Sequence, residues 1–346
     1  MASDLRIIEG PYLRDLLAQP RALRDTYASF ERPANLMRVV ARLAEFQRVV
    51  LTGMGSSYHA LHPLNLQLND HGIASMMLET SEFVHYYSRA LNPKTLVIAV
   101  SQSGESAEMR RLAQLSQGAP LIAVTNSPES TLARHAASAL FTHAGDEFSV
   151  SCKTYVAALM ALQWLADTLC EYDIEDSRRK LHDAEQAMAA YLADWRKHVL
   201  NLADLLRGIR DLFLVGRGTS LAAVGTGALV IKESDHFHAE GMSSAAFRHG
   251  PFEMLCGAVF VGVFAGDKKT RALSDALVAD VRNAGAHAEL IGEQTDFDSF
   301  RLAEYDPAIR PILEILPVQM ITIALSALVG REAGKFERAT KIRSTE

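Results

Sequence analysis

Cysteine is scarce in this sequence: Cys152, Cys170 and Cys256 are all it has in 346 residues, and no CxxC spacing links them. That excludes a disulfide framework and a cysteine-based zinc site. Basic charge is not in excess either, with 35 lysines and arginines against 41 acidic residues and a formal charge of −6. A broad electrostatic footprint for a nucleic-acid backbone is therefore missing, and nucleic acid is not an expected partner. Long uninterrupted apolar runs are absent. The strongest, 312–329, carries Glu314, Pro317 and Gln319 and reads as a buried core helix, not a bilayer span. The chain opens without a charged-then-apolar signal pattern, so a cytoplasmic location without a membrane partner is expected. Both GxGxxG and a lysine-bearing P-loop are lacking, since Tyr58 stands where Gly53-Met54-Gly55 would need a third glycine. Dinucleotide and nucleoside-triphosphate cofactors are disfavoured, and no cofactor is expected.

What is present is enough apolar residue, 49%, to bury sizeable cores in a chain of about two domains' length. Apolar runs at 48–52, 95–100, 120–125, 211–215, 258–264 and 287–291 alternate with helical-period segments, which predicts an α/β doubly wound architecture. Residues 173–207 carry Met188, Tyr191, Leu192, Trp195, Val199, Leu202 and Leu206 at three- and four-residue spacing, the pattern of one long connecting helix.

An internal repeat organises the rest. Leu51-Thr-Gly-Met-Gly-Ser-Ser57 matches Leu214-Val-Gly-Arg-Gly-Thr-Ser220, each following a strand and opening a helix. Further on, Glu82-Phe-Val-His85 corresponds to Ala246-Phe-Arg-His249, each soon after an acid, Glu79 and Glu240. The expected organisation is an amino-terminal helical extension (1–35), two like domains (36–172 and 201–330), a connecting helix (173–200) and a carboxyl-terminal tail (331–346).

A glycine-plus-hydroxyl turn between strand and helix suits an anion, because free backbone N–H groups at the helix start point toward it and hydroxyls donate in addition. Three such turns occur: Gly53–Ser57, Ser101–Ser106 and Thr125–Ser130. The third reads as a helix cap with Pro128 in the first helical turn. The middle one, with three serines in six residues after TLVIAV, exceeds what a cap needs. Ser101, Gln102, Ser103, Gly104 and Ser106 are the candidate phosphate-binding residues.

Two tandem α/β copies, SQSGES after a strand, and His238-Ala239-Glu240 followed by Arg248-His249-Gly250-Pro251 resemble the sugar isomerase (SIS) family, and in it the isomerase half of glutamine–fructose-6-phosphate aminotransferase. The similarity runs from Gln19-Pro20, Leu23 and Thr26 to Ala339-Thr340-Lys341. It implies two tandem doubly wound parallel-sheet SIS domains, flavodoxin-like α-β-α sandwiches. No glutaminase domain with its nucleophilic cysteine is found in these residues, so glutamine-dependent transfer is not expected of this chain.

The resemblance also implies site roles. Gly55, Ser56, Ser57, Val150 and Ser151 would line the sugar, and Glu233, His249 and Lys341 would be catalytic. Glu233 closes the stripe Ala222, Thr226, Leu229, Glu233 on a helix expected over 219–234, where desolvation suits a base; an ordinary surface glutamate beside Lys232 is the other reading. Gly250-Pro251 stops a helix and leaves the His249 ring at a loop edge, where the resemblance assigns it to ring opening, within reach of a neighbouring subunit's site. Lys341 matches a lysine that closes the site, or else belongs with Lys335, Arg338 and Arg343 to a solvated basic tail. His236, His238, Glu240 and His249 cluster in sequence, but histidines two apart share a side only on a strand and an outer shell is not evident, so no metal is expected.

Thr226 and Val230 stand where the synthase has a glutamate and a lysine, which puts aminotransferase chemistry itself in question. Phe252-Glu253 resembles the deglycases. The expected function is that of a phosphosugar isomerase, glutamine-independent, on a hexose 6-phosphate or 2-amino-hexose 6-phosphate. The reaction is aldose–ketose isomerisation, alone or coupled to ammonia release or addition, in a homodimer with a shared site. A fructosamine-6-phosphate deglycase and a non-catalytic sugar-phosphate sensor are the alternatives.

Overall fold

The computed structural model describes residues 5–116 and 118–338. They form two compact units: a first containing Arg21–Glu147 and Cys152–Asp183, and a second containing the segment before Arg21, Phe148–Ser151 and the described residues from Ala184 onward.

The first unit is built on five parallel strands, β1 (Arg48–Gly53), β2 (Ser75–Glu79), β3 (Thr95–Val100), β4 (Leu121–Thr125) and β5 (Ser138–Phe141), in the order β2-β1-β3-β4-β5. Its helices include α1 (Thr80–Tyr86), α2 (Ala107–Leu115) and α3 (Lys153–Leu169). The second unit has β6 (Asp211–Gly216), β7 (His238–Ser243), β8 (Val259–Phe264) and β9 (His287–Ile291), also parallel, in the order β7-β6-β8-β9. Here α4 (Leu221–Asp235) follows β6, α5 (Ser244–Arg248) follows β7, and α6 (Ile315–Val329) lies near the end of the described chain.

The six apolar runs are all strands within a residue of the expected bounds. The strands that hydropathy misses, β2, β5 and β7, all lie at sheet edges. Of the four edge strands only β9 carries enough apolar residues to be read as a run; β2 mixes exposed with partly buried residues and β7 buries only Ala239, whereas the central β3 is buried throughout. The connecting helix is two helices, Ile174–Ala193 and Trp195–Leu205, parted at Asp194. The helix expected over 219–234 runs as α4 after a 3₁₀ turn at Gly218–Ser220. The segment Arg310–Val329 is long and apolar enough to cross a membrane, yet 89% of its most apolar window is buried inside the fold.

The repeat is structural, and pairing register corrects it at one point. Gly53 pairs with Glu79 in the first sheet and Gly216 with Ser243 in the second. The counterpart of Glu79 is therefore Ser243, not Glu240, which pairs with Phe213 in mid-strand. From there the copies stay in step: Phe83 and Phe247 each lie on the helix that follows, each fully buried in its unit's core. Phe83→Ala and Phe247→Ala should each cost about 3–5 kcal/mol, the usual cost of emptying an aromatic from a packed core, measured by denaturant unfolding. A loss under about 1 kcal/mol at either position would show that the motif phenylalanine is not a core anchor.

Candidate functional site

In a parallel sheet the turns after the strands emerge at one edge, and ligands bind there, beside the point where the strand order reverses. In the first unit that point lies between β1 and β3. Two of the three glycine-and-hydroxyl turns follow these strands, and the third follows β4.

The Ser101–Ser106 turn is held by its own side chains. Ser101 Oγ accepts the Gly104 N–H at 3.1 Å, Ser103 Oγ accepts the Glu105 N–H at 3.2 Å, and Ser106 Oγ caps α2 by accepting the Met109 N–H at 3.3 Å. Each oxygen is thus used as an acceptor, which leaves each hydroxyl hydrogen to donate elsewhere. Gly104 has φ +64, and a Cβ there would sit 2.4 Å from Ser130 Oγ, so only glycine fits. The Gln102 carbonyl accepts from the Asn126 N–H at 3.0 Å and from Thr125 Oγ1 at 3.2 Å. Glu105, which motif reading passed over, accepts from the Thr131 N–H and, at 3.1 Å, from the Thr131 hydroxyl.

The third turn caps a helix as expected, and differs only in where Pro128 lies. The helix after it is Thr131–His135, capped by Ser130, whose Oγ accepts the Ala133 N–H at 3.2 Å; Pro128 precedes it and is outside the first turn. Of the other first-unit candidates, Gly55 carries φ +52 before the short helix Ser56–His59, Ser56 is buried and Ser57 half-buried.

Val150 and Ser151 lie in the short stretch Phe148–Ser151 that groups with the second unit; Val150 is buried and Ser151 half-buried. The flanks of that stretch are fixed by a residue that sequence reading missed. Glu147 accepts the Cys152 N–H at 2.9 Å, the Thr154 N–H at 3.0 Å and the Thr154 hydroxyl at 2.7 Å at the start of α3.

Glu233 and His249 both belong to the second unit. Glu233 is half-buried in the last turn of α4. The more desolvated carboxyl is its neighbour Asp235, which burial pushes well above the usual carboxylate range although Ser326 donates to it at 2.6 Å. Residues beyond α6 return to this helix end: Ser234 Oγ accepts the Gly334 N–H at 3.0 Å, and Arg331 bonds both His236, at 3.1 Å, and Glu337, at 2.7 Å. Thr226 and Val230 are buried on α4, the Thr226 hydroxyl without a partner among the described residues. His249 caps α5 with its ring exposed, as the Gly250-Pro251 stop implies. Lys341 lies outside the described residues.

Of the histidine cluster, only His238 and Glu240 share a strand, β7; His236 sits before it in a left-handed conformation, φ +51. His238 Nδ1 is 2.9 Å from Asp211 Oδ1. Among the described residues no group of three His, Cys, Asp or Glu is placed to hold a metal ion.

A second buried acid, Glu314, was visible in sequence only as an interruption of an apolar run. It receives the Ser220 hydroxyl at 2.8 Å, and burial pushes it up from 4.5 to about 7, opposed by the Ser220 bond and Arg310. Ser220 is the repeat's counterpart of Ser57.

The family model for the SIS domain matches residues 42–167. The glutamine–fructose-6-phosphate aminotransferase of Thermococcus kodakarensis is 31% identical over 353 residues, covering 96% of this chain and 58% of its own length. The chain thus spans a little under three-fifths of that relative, and it resembles the isomerase half of these aminotransferases. Two solved structures share the fold: the C-terminal domain of the Francisella tularensis glucosamine-fructose-6-phosphate aminotransferase (TM-score 0.83, 19% identity, 94% of this chain and 98% of that one) and the Thermotoga maritima glucosamine-6-phosphate deaminase (TM-score 0.78, 18% identity, 97% and 100%). The architecture is that of two parallel-sheet α/β units, the first of which carries the SIS-domain match.

The raised folded value of Glu314 has a definite sign. Its contribution to stability is fully present below about pH 4.5, the unfolded value, and is lost as pH rises through about 7. Between pH 4.5 and 8, wild type should therefore lose about 3 kcal/mol relative to Glu314→Gln, by denaturant unfolding at both pH values. Parallel pH curves for the two proteins would show that Glu314 titrates as an ordinary carboxyl.

Proposed function

We propose that the chain is a phosphosugar isomerase acting on a hexose 6-phosphate or its 2-amino derivative, in the cytoplasm and as a homodimer. The observation that carries this reading is the Ser101–Ser106 turn. Serine oxygens there are satisfied by backbone N–H groups, so their hydroxyl hydrogens are left to donate beside the start of α2, a donor set suited to a dianion. The likeness to an aminotransferase's isomerase half and to a glucosamine-6-phosphate deaminase supports a sugar phosphate as the ligand.

In this reading Ser101, Gln102, Ser103, Gly104 and Ser106 hold the phosphate, and Gly55, Ser56, Ser57, Val150 and Ser151 line the sugar. Ring opening needs a group that protonates the ring oxygen, and the exposed imidazole of His249 is suited to it. Glu233 then carries a proton between C1 and C2, which converts ketose to aldose; Lys341 contributes charge at the open chain. Thr226 and Val230, both buried on α4, stand where the synthase has a glutamate and a lysine, and loss of those charged partners favours isomerisation or ammonia release over transfer of nitrogen from a donor.

Ser101→Ala or Ser103→Ala should weaken binding of glucosamine 6-phosphate by about 1–3 kcal/mol in calorimetry, with unphosphorylated glucosamine barely bound by any form. Equal affinity of wild type for the two sugars would remove the phosphate assignment. Glu233→Gln should lower turnover by orders of magnitude with affinity nearly intact, and should abolish exchange of the substrate's C2 proton in heavy water. A wild-type protein that binds the sugar phosphate tightly yet neither converts it nor exchanges that proton would be a sensor, not an enzyme.

A further inference from the structure

Register places the second unit's counterpart of the serine turn exactly. Gly53 pairs with Val100 as Val215 pairs with Val263 one residue earlier in the other sheet, so Ser101-Gln102-Ser103 corresponds to Ala265-Gly266-Asp267. Likewise Val100 pairs with Val124 and Phe264 with Ile291, so Thr125-Asn126 corresponds to Gly292-Glu293. Of the first copy's hydroxyl residues, Ser103 is replaced by a carboxylate, Asp267, while Ser101 and Thr125 give way to Ala265 and Gly292; a second carboxylate, Glu293, stands in place of Asn126.

At this edge a cavity of about 20 Å³ is lined by Gly266, Gly292, Glu293, Tyr305, Arg310 and Glu314, among others. That is room for one guest of water size. Glu314 is 2% exposed, and while Ser220 donates to Oε1, its Oε2 is buried without a partner among the described residues. A buried carboxylate oxygen without a donor is costly, so the site calls for a donor or a positive charge. Arg310 is already spread over the Gly266 carbonyl at 3.2 Å, Glu293 at 3.2 Å and Asp267 at 3.5 Å. With Glu314 ionised, one guanidinium faces three carboxylates and the site is two charges negative. Lys268 does not correct this, being exposed and bonded to Glu304 at 2.9 Å. An anion is excluded by that balance, and a divalent ion by its strongly held water shell, for which a cavity with room for one guest has no space.

We infer that this cavity binds one small monovalent cation, of ammonium or potassium size, on the free oxygen of Glu314. Such an ion donates to, or is coordinated by, the unpaired oxygen and halves the excess negative charge. Glu314 also precedes α6, whose amino-terminal dipole favours the ionised carboxylate that the cation needs. The site does not depend on the reaction proposed above, and the pH slope assigned to Glu314 is that of the carboxyl without a counterion.

Thermal unfolding in ammonium chloride, potassium chloride and tetramethylammonium chloride at equal ionic strength tests it. At ten times the dissociation constant, a fitting cation should raise the wild-type Tm by about 3–6 °C over tetramethylammonium, and should not raise that of Glu314→Gln. A rise with ammonium alone assigns the site to ammonium; a rise with potassium, alone or with ammonium, assigns it to cations chosen by size. An equal rise in both proteins, or none in wild type, overturns the inference. Should Glu314→Gln fail to fold, ¹⁵N-ammonium NMR on wild type decides: broadening relieved by potassium but not by tetramethylammonium supports the site, and its absence overturns it.

Discussion

Parallel strand pairing is the constraint on which everything else depends. In both sheets each strand's neighbour runs in the same direction, so every turn after a strand emerges at one edge. Pairing of Gly53 with Val100 and of Val100 with Val124 brings the ends of β1, β3 and β4 into line, and the Asn126 N–H bond to the Gln102 carbonyl continues that ladder into the turns. Since β3 is buried on both faces, side-chain alternation does not distinguish its registers; the pairing of Val100 with Gly53 and with Val124 sets where the serine turn begins.

Sequence reading found the strands buried on both faces and, of the edge strands, only β9; it lost β2, β5 and β7. Central strands such as TLVIAV are continuous apolar runs; the edge strand SMMLE is not, and its existence follows only from pairing. The repeat was legible through glycines and phenylalanines, which the backbone and the core demand. It misled at Glu240, because spacing from a motif is not pairing register. The serine turn was visible as an excess of hydroxyls, but the clamp from Glu105 to Thr131 was not, since it joins segments 26 residues apart. Glu314 was harder still: its partner Ser220 is 94 residues away, and desolvation of a carboxyl is a property of the packed helices, not of its neighbours in sequence.

A different kind of order holds the end of α4. Asp235 is buried against Ser326 of α6, and Ser234 receives the backbone of Gly334, so the helix end that carries Glu233 is tied both to the core helix and to the chain that follows it. At Gly334 a Cβ would lie 2.6 Å from the Tyr12 ring, so this return path runs against a packed aromatic. Polar groups here do what apolar packing cannot: they set the orientation of a helix terminus, not just its depth.

The two copies keep the same strand order around the reversal point and the same buried phenylalanine while exchanging the chemistry of their strand-end turns. The scaffold is thus common to both copies, and the turns are where they differ. Among natural variants of this chain, replacements at Ser101, Ser103 and Gly104 should be rarer than at Ala265 and Gly266. In the proposed reading only the first copy holds an anion, which leaves room for the acids Asp267 and Glu293 in the second, and the SIS family model matches residues 42–167 of the first copy while the architecture extends to both.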